Sequence, residues 1–284
     1  SVSSAGDING DGIDDLIIGA FGANPNGLTS GESYVVFGQN GGFGAEFDLA
    51  SLNGANGFVL NGIAANDQSS RSVSSAGDVN GDGFDDLIIG APFADPSGES
   101  YVVFGGSGVG SAGSIELSSL NGSNGFVLNG VASADLSGNT ISSAGDINGD
   151  GIDDLIIGAP FADPNGSRSG ESYVVFGGAG IGSSGTIELS ALDGTNGFVL
   201  NGIISDDRSG GSVSSAGDIN GDGIDDLIIG AYNAEPNGEG SGETYVVFGG
   251  SGIGSSGSFE FSSLDGTNGF VLNGTNLGDG SGNS

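Results

Sequence analysis

The stretch Asp7-Ile8-Asn9-Gly10-Asp11-Gly12-Ile13-Asp14-Asp15 is the part of the chain best equipped for chemistry. Oxygen-bearing side chains at alternate positions, Asp7, Asn9 and Asp11, converge on one point if the backbone curls tightly. Gly12 at position 6 supplies the sharp turn, the device used in EF-hand loops. Ile13 at position 7 offers its backbone carbonyl, and the carboxylate of Asp15 at position 9 closes the shell. The pattern returns as Asp78, Asn80, Asp82, Phe84 and Asp86, as Asp146, Asn148, Asp150, Ile152 and Asp154, and as Asp218, Asn220, Asp222, Ile224 and Asp226. Hard carboxylate and amide oxygens suit Ca²⁺ and, less well, Mg²⁺, which prefers fewer protein ligands and more water. One Ca²⁺ per repeat is therefore expected, four in all. Asp14, Asp85, Asp153 and Asp225, at position 8, read as turn caps or as acceptors behind the ligands. Turn chemistry alone also selects Asp, Asn and Gly. However, all four copies keep every ligand position, and four carboxylates within nine residues repel one another unless a cation neutralises them. A preformed site rarely exists in an unfolded chain, so ion binding would appear as folding energy.

The rest of the composition narrows the field. The chain has 284 residues, 62 of them Gly, with 36 acidic against 3 basic side chains and a formal charge of −33. Four Ca²⁺ would bring that charge to −25, still strongly acidic and favourable for solubility. Three cationic side chains leave no footprint for nucleic-acid phosphates or for an anionic membrane. Cys, Met, Trp and His are all absent, which excludes a disulfide framework, a thiolate site and a His-bearing zinc site. Acid–base chemistry would have to run without imidazole. Paired carboxylates are abundant, but they recur identically in every repeat, whereas an active site needs one asymmetric constellation. The chain is read as a non-enzyme. No apolar run approaches the ~20 residues of a membrane helix. No signal-peptide pattern stands at Ser1, so a targeting segment is expected to have been removed or to lie outside this piece.

These loops must be positioned by a repeated scaffold. The first Asp of each copy falls at Asp7, Asp78, Asp146 and Asp218, a period of 68–72 residues that points to a solenoid, a propeller or an array. One domain over 1–284 is expected, divided near 1–71, 72–139, 140–211 and 212–284. Each repeat holds four apolar bursts of about five residues, bounded by Gly, Asn, Asp and Pro; in the second they are 72–76, 86–91, 100–104 and 125–128. Helical spacing is absent. Residues 114–120 fit either a fifth short strand or a single helical turn. Four short strands per repeat predict an all-β fold, a β-propeller of four-stranded antiparallel blades. The bursts LIIGA and YVVFG are apolar at consecutive positions, so both faces should be buried between stacked sheets. SVSSAGD, made of small residues, should crowd near a central axis, with GFVLNG at the outer edge. Ser284 corresponds to Ser1, so the chain is a whole number of repeats to within a residue. The loops 24–30, 95–97, 163–169 and 235–241 vary in length and are expected at the surface, where binding resides.

Other recurrent residues have plainer readings. Glu32, Glu99, Glu171 and Glu243 open the third burst; a ring of carboxylates could bind a cation or a substrate, but strand-start residues facing solvent or accepting backbone bonds are favoured. Tyr34, Tyr101, Tyr173 and Tyr245 follow, and between apolar neighbours they read as core rather than as sugar-stacking platforms. Sequons at Asn121, Asn165 and Asn273 permit glycosylation, although a chain rich in Asn, Gly and Ser produces some by chance.

The combination SVSSAGD…DINGDGIDDLIIGAP…GESYVVFG resembles the FG-GAP repeat of integrin α-subunit propeller heads and of bacterial surface proteins. Its GAP element is Gly90-Ala91-Pro92 and Gly158-Ala159-Pro160; the outer repeats carry Gly19-Ala20-Phe21 and Gly230-Ala231-Tyr232 instead. The FG before the first strand is replaced as well. The resemblance spans essentially the whole chain. It implies a β-propeller with calcium in the hairpin loop between the first two strands of a blade, and an extracellular role in adhesion or ligand binding. The implied partner is a protein or glycan ligand at the cell surface, or further copies assembling into an oligomer or fibre. Family propellers commonly have seven blades, so four repeats leave open a four-bladed ring, association of chains, or an open or longer array. A lectin-like propeller, or the non-catalytic propeller of a secreted hydrolase, are the competing readings.

Overall fold

A computed structural model describes residues 1–94 and 96–283. Asp95, at the start of the expected variable loop 95–97, lies outside the described residues. The chain forms four sheets, one for each repeat. The first blade is built from β1 (Val2–Gly6), β2 (Asp15–Ala20), β3 (Glu32–Val36) and β4 (Gly57–Asn61). The second uses β5 (Ser72–Gly77), β6 (Asp86–Ala91), β7 (Glu99–Val103) and, after a short strand β8 (Ser114–Glu116), β9 (Gly125–Asn129). The third uses β10 (Thr140–Gly145), β11 (Asp154–Ala159), β12 (Glu171–Val175) and, after β13 (Thr186–Glu188), β14 (Gly197–Asn201). The fourth uses β15 (Ser209–Gly217), β16 (Asp226–Ala231), β17 (Glu243–Val247) and, after β18 (Ser258–Glu260), β19 (Gly269–Asn273).

Within each blade the four main strands pair antiparallel in sequence order, as expected. The short strands do not join their own blade. β8 pairs in parallel with β4, β13 with β9 and β18 with β14, so each adds a fifth strand to the preceding blade. The ambiguous segment 114–120 is therefore both things at once: β8, then a 3-10 turn over Leu117–Ser119. Leu117 starts the turn and is buried in the core shared with the first blade.

The consecutive apolar residues of LIIGA follow from the stacking. Leu87 and Ile89 enter a core with Ile17, Val35, Phe58 and Leu60 of the first blade. Ile88, on the opposite face of the same strand, enters a second core with Val102, Phe126, Leu155 and Ile157. A third core joins Ile156, Val174, Phe198 and Leu200 to Leu227, Ile229 and Tyr245. Every core is thus shared by two neighbouring blades, and a strand with period-2 geometry must be apolar on both faces to serve two of them. The small-residue strands form one edge of every sheet and adjoin one another along the stack: β1 adjoins β5, β5 adjoins β10, and β10 adjoins β15.

Glycine fixes the turns that carry this layout. The register of β5 against β6 slips between Ser75 and Gly77, a bulge that releases the chain into the acidic loop. Gly110, at φ +63°, precedes β8, and a Cβ there would come within 2.1 Å of the Phe58 ring. Gly110→Ala therefore meets both backbone strain and a buried aromatic. We expect a loss of more than ~1 kcal/mol, read as a lower urea midpoint, because the ring cannot retreat from a filled core.

Candidate metal centre

Each acidic loop joins the first two strands of a blade, β1 to β2 and its counterparts. Asp7 organises the first one. Its Oδ1 accepts the N–H groups of Gly10 and Asp11 at 2.9 and 3.0 Å, and its Oδ2 accepts that of Gly12 at 2.8 Å. Asp11 Oδ1 accepts the Ile13 N–H at 3.0 Å, and Asn9 Oδ1 accepts the Asp11 N–H at 2.9 Å. The three bonds to Asp7 recur around Asp78, Asp146 and Asp218, whereas the Asn9 bond recurs only at Asn220 among the described hydrogen bonds. Carboxylates that accept several backbone donors fix the curl of the loop.

Asp15 and its counterparts form the base of the site. They are the first residues of β2, β6, β11 and β16, and all are buried. Asp15 accepts the Gly38 N–H at 2.7 Å, which ties the loop to the turn after β3. Asp86 does the same for Gly105 and also accepts the Val79 N–H; Asp154 and Asp226 repeat the pattern. Burial pushes the Asp15 carboxyl up to about 6, that of Asp86 to about 8 and that of Asp154 to about 7, and the charges of the loop's other acids add to it.

The structure thus brings the predicted residues of each repeat to one loop, but among the described residues no three carboxylates converge closely enough to grip an ion. The donor set nevertheless fits a hard divalent cation. Among the described residues Asp86 is a buried carboxylate with acidic neighbours and no cationic partner, and Asn80 Oδ1 of the same loop is buried without a hydrogen bond. Three of the position-7 side chains pack on the preceding loop. Phe84 lies over Gly10, and Ile152 and Ile224 lie near Gly81 and Gly149.

Position 8 has a role that the sequence leaves undecided. Asp85 Oδ2 accepts the Asp7 N–H from the previous loop at 2.7 Å; Asp153 accepts that of Asp78 at 2.9 Å, and Asp225 that of Asp146 at 3.0 Å. Successive tips are therefore chained by hydrogen bonds. The only signal in the sequence is a recurrent Asp at a non-ligand position. The arginines were also silent in sequence. Arg71 sits over the rings of Phe21 and Phe93, each 5.8 Å away, and Arg208 over Phe161 and Tyr232 at 5.3 and 5.7 Å. Each bridges the aromatic that follows β2 or a counterpart in adjacent blades.

The recurrent Glu and Tyr form pairs. Tyr34 donates to Glu32 at 2.6 Å and Tyr245 to Glu243 at 2.8 Å, and the same contacts join Tyr101 to Glu99 and Tyr173 to Glu171. Tyr101, Tyr173 and Tyr245 are core residues. Of the sequons, Asn121 is exposed in a loop, whereas the Asn165 amide nitrogen already donates to the Gly202 carbonyl at 2.8 Å.

Four stacked, mostly antiparallel sheets with acidic hairpin tips define a propeller-like repeat protein. The profile of the FG-GAP repeat matches residues 1–36, 70–113, 137–175 and 209–247, and the chain belongs to that family. It is 31% identical to integrin alpha-PS2 of Drosophila melanogaster over 192 residues, 66% of this chain and 12% of that protein. It is 33% identical to integrin alpha-4 of Xenopus laevis over 158 residues, 55% of this chain and 14% of that one. Phosphatidylinositol-glycan-specific phospholipase D of Bos taurus is 29% identical over 196 residues, 67% of this chain and 22% of the enzyme. The chain thus spans less than a quarter of these relatives. No helix among the described residues is long and apolar enough to cross a membrane.

Away from the tips, Asp207 carries a testable cost. It is buried two residues before β15, and burial with the Glu243 charge raises its carboxyl to about 6. A carboxyl with a raised folded pKa destabilises the fold above that pKa and ceases to do so below the unfolded value of 3.8. Asp207→Asn should therefore raise Tm at pH 7 by roughly 2–4 °C, and the gain should shrink as pH falls through 6 and vanish near 4. Calorimetry of both forms across that range checks it.

Proposed function

We propose that this chain is an extracellular, calcium-binding adhesion module. The observation that supports it best is the acidic tip repeated in all four blades, each with a buried carboxylate that lacks a cationic partner. Asp7, Asn9, Asp11 and Asp15, with the Ile13 carbonyl, would hold one ion, and the corresponding residues would hold the other three. A bound Ca²⁺ supplies the positive charge that these oxygens lack. The chain's own residues do the rest: Asp7 sets the curl, Asp15 anchors the tip to the following turn, and Asp85 passes that rigidity to the next tip. Similarity to integrin α chains supports a protein ligand at the cell surface, met by loops on a stiffened scaffold. We take 1–284 as one domain, because each core belongs to two repeats at once and no repeat can bury its faces alone.

Metal analysis after gel filtration in calcium buffer should give four ions per chain and three for Asp82→Asn. An unchanged count would contradict the ligand assignment. Chelation should shift a single, cooperative melting transition downward, since an ion present at a hundred times its Kd adds ~2.7 kcal/mol.

Similarity to phosphatidylinositol-glycan-specific phospholipase D supports a second reading, in which the repeats accompany a catalytic domain. Sequencing the gene on both sides of this segment tests it. A flanking hydrolase domain would favour the second reading, and further repeats the first.

A further inference from the structure

We propose that each interior cation site is built by two blades, and that neighbouring sites therefore load cooperatively. Asp85, Asp153 and Asp225 are the positioning residues, each serving the loop of the preceding blade rather than its own. The inference deepens the calcium reading and rests on it.

Three contacts cross each seam at the tips. In the first, Asp85 Oδ2 accepts the Asp7 N–H at 2.7 Å, and a Cβ on Gly6 would lie 2.3 Å from that oxygen. Gly77 and Gly145 stand under Asp153 and Asp225 in the same way, all three glycines at φ between +66° and +73°. Only a residue without a side chain lets the carboxylate reach the backbone there. A cap on its own loop is the plainer role for position 8. Among the described hydrogen bonds, however, none of the three carboxylates accepts one from its own loop.

The second contact runs through the turn after the third strand. The Gly106 N–H donates to the Ile8 carbonyl at 2.8 Å, and Gly178 and Gly250 donate to Val79 and Ile147 at 2.9 Å. Ile8 lies between the candidate ligands Asp7 and Asn9. The residue before Gly106 is Gly105, whose N–H is accepted by Asp86 at 2.8 Å. Two successive amides thus tie the base of one site to the backbone of its neighbour. The third contact is the Phe84 side chain over Gly10, made by the residue whose carbonyl is a candidate ligand in the second loop.

Phe84 and Asp85 stand between Asp82 and Asp86, so whatever fixes the second loop fixes them too. The Asp218 loop makes the same three carboxylate bonds with no such neighbour among the described residues, so the following blade restrains the curl rather than shaping it. No three carboxylates among the described residues converge closely enough to grip an ion, and the donors must draw inward to do so. A loop already held at Asp7, Ile8 and Gly10 gives up less freedom in that step. The sign of the coupling is therefore positive. Repulsion between neighbouring cations opposes it, and the Asp85 carboxylate, placed between the two loops, offsets that repulsion.

A calcium titration of the whole chain followed by amide NMR tests the proposal, because Gly10 and Gly12 report the first loop and Gly81 and Gly83 the second. In the wild type these amides should respond more steeply than single-site binding allows. Asp85→Ala should raise the half-saturating calcium of the first loop by ~10-fold or more and leave the second within about twofold, since losing a partner behind a metal ligand costs that much affinity. Asp85→Asn keeps a carbonyl oxygen for the Asp7 N–H and should restore most of the loss. Asp82→Asn, which empties the second loop, should weaken the first and third loops and spare the fourth, because coupling is reciprocal. Loops that fill independently or with negative cooperativity, unchanged by Asp85→Ala, would overturn this inference and leave the calcium reading standing. A loss confined to the second loop would return Asp85 to its own loop and overturn it too. Asp85→Asn as damaging as Asp85→Ala would assign the effect to charge and overturn the positioning bond. Glycine amides that ignore calcium in all four loops would overturn both readings together.

Discussion

No blade of this protein can bury its own apolar surface. A single twisted sheet with apolar residues on both faces leaves each face dependent on a neighbour. Ile88 and Ile89 are adjacent in sequence, yet they belong to different cores. Everything else in the architecture follows from that dependence. The short strands cross to the preceding blade, the Leu117 turn plugs the seam they leave, and the Arg71 and Arg208 guanidinium groups lie across seams between aromatic rings.

The acidic tips belong to the same arrangement. A hairpin that carries four carboxylates resists compaction, and its backbone donors absorb part of that charge: Asp7 alone accepts three N–H groups. The buried carboxylate at the base also accepts backbone N–H groups, as Asp86 does from Gly105 and Val79, yet it has no cationic partner among the described residues, and the oxygen donors of the loop match a hard divalent ion. Because Asp85 reaches back to the previous tip, any stiffening of one loop reaches the next through a hydrogen bond rather than through the core.

Much of this was legible in the residues. Strand identity followed from short Val- and Ile-rich bursts between Gly- and Asp-rich turns, and the buried Tyr101, Tyr173 and Tyr245 are the core residues their neighbours implied. The candidate donor positions could be named from the sequence because the proposed ligand chemistry is local, confined to nine consecutive residues. What was not legible is what depends on distance. That β8 pairs with β4 across a repeat boundary, or that Asp85 serves Asp7, is a relation between residues more than fifty positions apart. Leu16 and Leu87 are the same letter in the same phrase, and only the fold separates them: one half in water, the other wholly buried.

The exchange of β8, β13 and β18 sets the boundaries of the structural unit one strand away from those of the repeated phrase. A gene that gains or loses one whole interior phrase would then neither orphan a strand nor require a new seam, because every seam is written with the same residues. Unequal recombination between such phrases can lengthen or shorten the stack in single steps, each yielding a foldable product. The number of blades becomes a trait that evolution can vary without redesigning any contact.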